Sequence, residues 1–387
     1  MLMIVPLQRF SRPLRPWGFR EGRVRHVTKK GRSQMKTTGL RLVHIMLFPM
    51  LMVMAVTVIG ATCNHAWGAD VPKRLTIGTH PVGSTYNLVG TAISKVVGGH
   101  TDMRVIVKAL AGSSAWMPLM DSKEVDMGVV AGNELYDAYY GVGAYKETRK
   151  GKGFNVCLLQ MGMKQYSNFV VRDDSPIKTM ADVRGKKVLW GIPAIPNVQD
   201  IVKGTLELWG LSEKDYVKVN FNDIFEAVRA LGEGVIDLAW IIPETPVVRE
   251  VNSTTPLRFL DYWHTLDDPK TLEKIQMISR GNRLELRKAG SAPGIRKDTI
   301  MSVSQIVLAV RKDLNDQAVY LVAKALWENS KELAPVLPAL RTWSPENMVN
   351  THIGGVPYHP GGIKFYKEVG AWTAEMEKYQ KDALAGK

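Results

Sequence analysis

Between residues 74 and 140 one order repeats three times: a short apolar run, a turn containing glycine, and a stretch with apolar residues at helical spacing. Arg74–Gly78 reads as a strand, and Thr85–Val97 as a helix with Leu88, Val89, Ala92, Ile93, Val96 and Val97 on one face. Arg104–Leu110 and Ala115–Asp121 follow in the same order, and then Met127–Val130 and Glu134–Tyr140. Strand–helix alternation of this kind builds a largely parallel sheet covered by helices, so this region is an α/β domain. A second series begins after the turn at Asp173–Pro176: strand Lys187–Trp190, helix Val198–Trp209, strand Val217–Phe221, helix Phe225–Leu231 and strand Asp237–Ile241. Ser302–Val310 is extended and apolar, and the helical stretches Gln317–Asn329 and Gly361–Gln380 return the chain to the first domain. Asn168–Arg172 and Ser302–Val310 then cross between two lobes, which makes a hinge. The expected divisions are 70–170 and 302–387 for the first lobe and 171–301 for the second.

Ahead of these lobes, Met35–Arg41 is short and basic, Ile45–Ala61 is apolar, and small residues follow at Ala66, Gly68 and Ala69. That layout predicts a secretory signal over 35–69, cut after Gly68 or, as we favour, after Ala69. The alternative is an uncleaved anchor, since the apolar run approaches the roughly 18 to 20 residues that span a bilayer; Pro49 and Thr57 weaken it. Cys63 is preceded by Gly60-Ala61-Thr62, which lacks the pattern of a lipoprotein site. Residues 1–34 are rich in arginine and hold no hydrophobic block, as expected of a start called too early, with Met35 the true start.

Charge reads differently once the leader is set aside. Of the formal +14, eleven Lys/Arg and the single acid Glu21 precede residue 42, leaving 40 basic against 36 acidic residues, a net of +4. A near-balanced chain with scattered charge offers no basic stripe, so a nucleic-acid partner is excluded. Cys157 is the only cysteine after residue 69, so stability rests on the core without an internal disulfide. The 318 residues after Ala69 suffice, and a chain of that size divides into two domains.

In such folds ligands meet the loops at the carboxyl ends of strands, where helix N-termini gather unpaired N–H groups. The first candidate loop runs from Gly78 through Thr79, His80, Gly83, Ser84 and Thr85 to Tyr86. It suits a bound carboxylate, or is an ordinary turn with a capping serine. Gly112, Ser113 and Ser114 form a second loop, and Gly132 with Asn133 a third. Three such turns at one end of one sheet can hold a ligand from several directions.

On these residues the chain resembles the TAXI family, the solute receptors of a class of TRAP (tripartite ATP-independent periplasmic) transporters. Leu75–Thr79 with Gly83 and Tyr86 is similar to the family's first loop, Gly112-Ser113 to its second, and Glu124–Val130 with Tyr136–Tyr139 to its next strand and helix. Ile177–Val188 is similar to the start of its second lobe, and Tyr358–Gly370 to its C-terminal signature. The resemblance implies a two-lobed type II periplasmic binding protein fold with two interlobe crossings. It also implies a small-molecule solute, amino-acid-like or a dicarboxylate, closed between the lobes, and a permease driven by an ion gradient as partner; the first loop itself favours a carboxylate, and a monomer is expected.

One departure bears on the ligand. At the head of the second lobe Gly191–Asn197 carries Pro193 and Pro196 and no hydroxyl, so donors are fewer than the family pattern supplies. Asn197 can cap the next helix or reach a ligand. Trp190 and Trp240, with Tyr86 and Trp116, stand near the candidate loops and either line one cleft or fill the core beneath it. The hypothesis is a carboxylate held by Gly83–Thr85 and Gly112–Ser114, with Trp190 and Trp240 covering an apolar body. His80 is the histidine best placed for a ligand, His359 reads as a structural turn, and His264 and His352 have no partner at metal-ligand spacing. Asp267-Asp268 reads as a solvated turn; with no hydrolase elbow and no positioned acid–base pair, neither metal, cofactor nor catalytic residue is expected. The alternatives are a receptor for an ATP-driven importer or a sensor kinase, and an exported enzyme on the same fold.

Overall fold

The computed structural model describes residues 71–263, 266 and 268–386. The expected leader over 35–69, the early start over 1–34, Cys63, His264 and Asp267 lie outside them. No helix among the described residues is long and apolar enough to cross a membrane.

Strand β1 (Arg74–Thr79) pairs in parallel with β2 (Arg104–Ala109) and β3 (Met127–Ala131). Helices α1 (Thr85–His100), α2 (Ser113–Asp121) and α3 (Gly132–Tyr140) follow the three strands in turn. Strand β4 (Cys157–Arg172) leads to the second lobe: β5 (Lys187–Gly191), α4 (Asn197–Leu208), β6 (Val217–Asn220), α5 (Ile224–Gly232) and β7 (Ala239–Ile241). There follow α6 (Pro246–Thr254), β8 (Leu257–Phe259), α7 (Pro269–Ile278) and β9 (Arg283–Arg287), and then β10 (Thr299–Val310), α8 (Asp316–Glu328), α9 (Pro360–Glu368) and α10 (Ala374–Leu384). The large sheet runs β2-β1-β3-β10-β4-β7, with β8 on β4, β9 on β10, and β10 antiparallel to both β3 and β4. It is the two-lobed α/β architecture predicted from sequence.

The two long strands explain the two lobes. Cys157–Met163 of β4 and Ile306–Val310 of β10 are buried in a core with β1–β3, α1 and α8. Phe169–Val171 of β4 and Met301 of β10 are buried in a second core with β5, β7, α4 and α5. Between these apolar ends each strand is mostly polar: Gln165 faces Ser304, Ser167 faces Ser302, and Lys164 faces Gln305 across the ladder, with Tyr166 opposite Val303 among them. Gln165, Ser167, Ser302 and Ser304 are buried yet belong to neither apolar core, so the crossing falls at the middle of the paired strands. It therefore precedes Asn168–Arg172, whose Phe169–Val171 already belong to the second core. Asn168 fastens the far side, donating from Nδ2 to the Leu260 carbonyl at 2.9 Å and the Ile300 carbonyl at 3.1 Å.

Two further differences have local causes. The single helix expected over Gly361–Gln380 is two, because Gly370 turns the chain at φ +73° and Thr373 caps a new start. His359 caps α9, its Nδ1 accepting from the Gly361 N–H at 3.1 Å, which is the structural turn read from the sequence.

Candidate functional site

A cleft of about 660 Å³, counting its mouth, opens where the two cores face each other. The wall from the first lobe is polar. Ser84, Thr85 and Tyr86 come from the start of α1, Asn133 from the start of α3, and His80 from the loop after β1. Gln165 and Ser304, the facing pair on the crossing strands, close this side. The wall from the second lobe is apolar: Ile195, Val198, Ile201, Ile224, Trp240 and Ile241, continued by Ile242. Its polar groups are Asn197, Thr245, Ser279 and Asn282.

Helix starts account for the polar wall. The first N–H groups of a helix have no partner within it and carry its partial positive charge. Thr85, Asn133 and Asn197 stand in the first turns of α1, α3 and α4, helices of 16, 9 and 12 residues, so three such ends meet on one cleft. Ser84 holds the first in place, its Oγ accepting from the Asn87 N–H at 3.2 Å.

Five buried polar atoms on the cleft have no hydrogen-bond partner: His80 Nε2, Thr85 Oγ1, Asn197 Oδ1, Ser279 Oγ and Asn282 Oδ1. A buried polar atom left unpaired costs about 1–3 kcal/mol, so five facing one space point to a ligand that pairs them. His80 is stacked on Tyr86, ring centroids 4.1 Å apart, and burial pushes its imidazole down to about 3, so it meets a ligand uncharged. Tyr86 is fixed in turn, donating to Gln165 Oε1 at 2.6 Å. No Asp, Glu, Lys or Arg among the described residues lines the cleft. The recess beside it, which shares Asn133 and Ser279, carries Asp137, Glu273 and Arg280.

The structure brings His80, Ser84, Thr85, Tyr86, Asn133, Asn197 and Trp240 together on this cleft and places the other expected contacts elsewhere. Thr79 is buried behind the loop, its Oγ1 accepting from Asn87 Nδ2 at 3.1 Å, and Gly83 forms the turn at φ +83°. Gly132 faces Ile353 and the Gln305 carbonyl in a smaller recess. The Ser113 hydroxyl is occupied: it donates to the buried carboxyl of Glu134, which also accepts from the Tyr145 hydroxyl at 2.8 Å. Gly112 and Ser114 meet the other lobe instead of a ligand. The Ser114 N–H donates to the Ala194 carbonyl at 3.4 Å, its hydroxyl to the Pro193 carbonyl at 3.3 Å, and a Cβ on Gly112 would overlap the Ala194 oxygen. Trp190 lies in the second core, its ring 5.9 Å from that of Tyr216, and Trp116 is fully buried against Gly78 and Gly128. Sequence reasoning missed Gln165, Thr245, Ser279, Asn282 and Ser304. The polar middle of each crossing strand is a signal that could have found Gln165 and Ser304; Ser279-Arg280-Gly281-Asn282 reads as a turn, which does not by itself point to a ligand.

Residues 77–370, about three quarters of the chain, match the NMT1-like family. The chain belongs to the NMT1-like family. That assignment is coarser than the TAXI resemblance and does not name a transporter class. Among solved structures, one of a periplasmic transporter matches 82% of this chain and 98% of its own, at 11% identity and a TM-score of 0.49. PhnD1 from Prochlorococcus marinus in complex with methylphosphonate matches 78% of this chain and 99% of its own, at 11% identity and 0.47. An ancestral arginine-binding protein bound to arginine matches 71% of this chain and 99% of its own, at 15% identity and 0.45.

Proposed function

We propose that this NMT1-like chain is an extracytoplasmic receptor that encloses a small organic acid between its lobes and delivers it to a membrane permease of the TRAP type. The observation that carries the binding role is the meeting of three helix starts and five unpaired polar atoms on one apolar-backed cleft. Helix starts favour a carboxylate, and the first-lobe wall supplies hydroxyl, imidazole and amide groups to complete its hydrogen bonds. The second-lobe wall takes the remainder of the solute; each 100 Å² of apolar surface it covers contributes roughly 2.5 kcal/mol.

Binding without catalysis fits the same groups. A histidine at about 3 is a poor base near neutral pH. Export rests on the leader at 35–69, and the TRAP assignment on the resemblance at the first loop and at Tyr358–Gly370. The test is a thermal-shift screen of the chain from Asp70 onward over organic acids, amino acids and aromatic acids. A solute at about 100 times its Kd stabilises by roughly 2.7 kcal/mol, a visible rise in Tm. A screen in which no organic acid raises Tm would remove this reading. Co-purification of the loaded receptor with the membrane subunits encoded beside it tests the transporter class.

A further inference from the structure

We infer that the cleft selects monoanionic acids with an uncharged body, such as branched or aromatic 2-oxo and 2-hydroxy acids, and rejects both amino acids and dicarboxylates. This rests on the receptor reading above and narrows its substrate class. The lining holds no ionic side chain of either sign among the described residues. One carboxylate is accommodated by the helix starts of α1, α3 and α4. A second carboxylate or an ammonium would be buried without a counter-ion, at a cost of several kcal/mol.

The buried acid beside the polar wall is not free to serve an ammonium. Glu134 accepts from both the Ser113 and Tyr145 hydroxyls, and burial raises its carboxyl above the usual range. Asp137 and Glu273 line the adjoining recess and not the cleft, and Asp137 takes the Ala144 N–H. What the second lobe does offer the solute is neutral: the amide of Asn197, the hydroxyl of Ser279 and the amide of Asn282, each with an unpaired buried atom. A keto or hydroxyl oxygen on the carbon next to the carboxylate can pair with such groups, since a side-chain amide can present either its oxygen or its NH₂ by a flip. Beyond them Ile201, Ile224 and Trp240 provide the wall for a branched chain or ring.

The experiment is calorimetry with sets that share a carbon skeleton and differ in the group on C2, namely 4-methyl-2-oxopentanoate, 2-hydroxy-4-methylpentanoate and leucine, then phenylpyruvate and phenylalanine, with 2-oxoglutarate as the dicarboxylate. The oxo or hydroxy acid of a set is expected to bind at least 100-fold more tightly than its amino acid, and 2-oxoglutarate to fall with the amino acids. Placing one carboxylate in the wall should narrow the preference. N197D, at the start of α4 where an acid is tolerated, is expected to weaken the oxo acid and shift its ratio to the amino acid by 10-fold or more. N282D is the second variant should N197D fail to fold: Asn282 Nδ2 donates to Ser302 Oγ at 2.9 Å, and an aspartate there can accept from the same hydroxyl once it turns. Amino acids or 2-oxoglutarate binding as tightly as the monoanions would overturn the inference and leave the receptor intact. So would a ratio unmoved in both folded variants. Failure of every acid to bind would remove the receptor reading as well.

Discussion

The loop from Thr79 to Tyr86 on the first lobe and the loop from Gly191 to Asn197 on the second occupy equivalent places, each carrying a strand end into a helix start. The first presents a hydroxyl at Thr85 and an imidazole at His80, both with unpaired atoms on the cleft. The second spends its polar backbone on itself and on the opposite lobe: the Ile195 N–H donates to the Ile192 carbonyl at 2.8 Å, and the Pro193 and Ala194 carbonyls receive Ser114. What it shows the solute is Ile195 and the side chain of Asn197. Similar local geometry thus yields a polar wall and an apolar wall, and the difference lies in the side chains that each loop presents, with proline removing two N–H groups from the second loop and one, at Pro81, from the first.

The largest test of that comparison sets two tryptophans against each other. Trp240 faces the cleft and Trp190 the core behind it, although each stands at a strand end of the second lobe. Trp190→Ala should cost about 3–5 kcal/mol of stability in chemical denaturation and leave solute affinity within about 2-fold. Trp240→Ala should lower affinity by about 10-fold or more with the smaller loss of stability. The reverse pattern would mean that the apolar wall has been assigned to the wrong face.

Next in size is the contact where the two loops meet. Gly112 has φ 170°, an extended backbone that any residue adopts, so the obstacles to a side chain lie on the other lobe, the Ala194 carbonyl and Ile195 Cγ1. Gly112→Ala should therefore penalise the closed arrangement alone. Affinity should fall by about 100-fold while the Tm of the unliganded protein stays within about 1–2 °C. Solution scattering gives the same comparison by shape: solute should reduce the radius of gyration of the native chain and do so much less in Gly112→Ala. An unchanged affinity would show that solute is held without the lobes meeting there.

How much of this could be read from the chain divides along the same line. The strand–turn–helix order is written in local periodicity, and so were the first loop and the two lobes. Whether a donor in such a turn is available depends on partners far along the chain. Ser113 is spent on Glu134, 21 residues later, and Tyr86 is fixed by Gln165, 79 residues later. Ser279 and Asn282 bound the turn after α7, where Gly281 has φ +78° and the Asn282 N–H donates to the Ser279 carbonyl at 3.1 Å; the sequence marks the turn, and only the packing of the second lobe brings it to the cleft. Strands β8 and β9 were missed for a related reason: three and five residues long, they exist through pairing with β4 and β10.

A smaller effect separates the polar wall from its backbone. Thr85→Val keeps the shape of the side chain and removes the hydroxyl whose oxygen is unpaired in the cleft. One hydrogen bond to a charged group is worth about 1.5–3 kcal/mol, of which the helix start retains part, so a fall in affinity of about 10-fold is expected by calorimetry. Thr85→Ser should recover most of it. Equal losses in both variants would trace the effect to packing rather than to the hydroxyl.

The smallest effect asks whether the charged recess beside the cleft stays out of the solute's way. Burial first, then Glu134 and Asp200, pushes the carboxyl of Asp137 up to about 7, against the pull of the Ala144 N–H and Arg280. In the unfolded chain it titrates near 3.8. A carboxyl raised on folding holds its proton more firmly in the native state. Its contribution to stability is therefore complete below about pH 4 and is lost as pH rises through about 7. Asp137→Asn cannot ionise and keeps an oxygen for the Ala144 N–H, so it removes that loss. Its Tm should exceed the native value by about 2–4 °C at pH 8, about 1 kcal/mol after discounting the shift for solvent screening of a group that is not fully buried, and match it at pH 4. Solute affinity at pH 8 should be the same in both proteins, because Asp137 lines the recess and the walls of the cleft are neutral. If Asp137→Asn instead tightens binding of an acid several-fold at pH 8 and not at pH 5, the field of the recess reaches the solute, and the neutral lining is only part of what sets its charge preference.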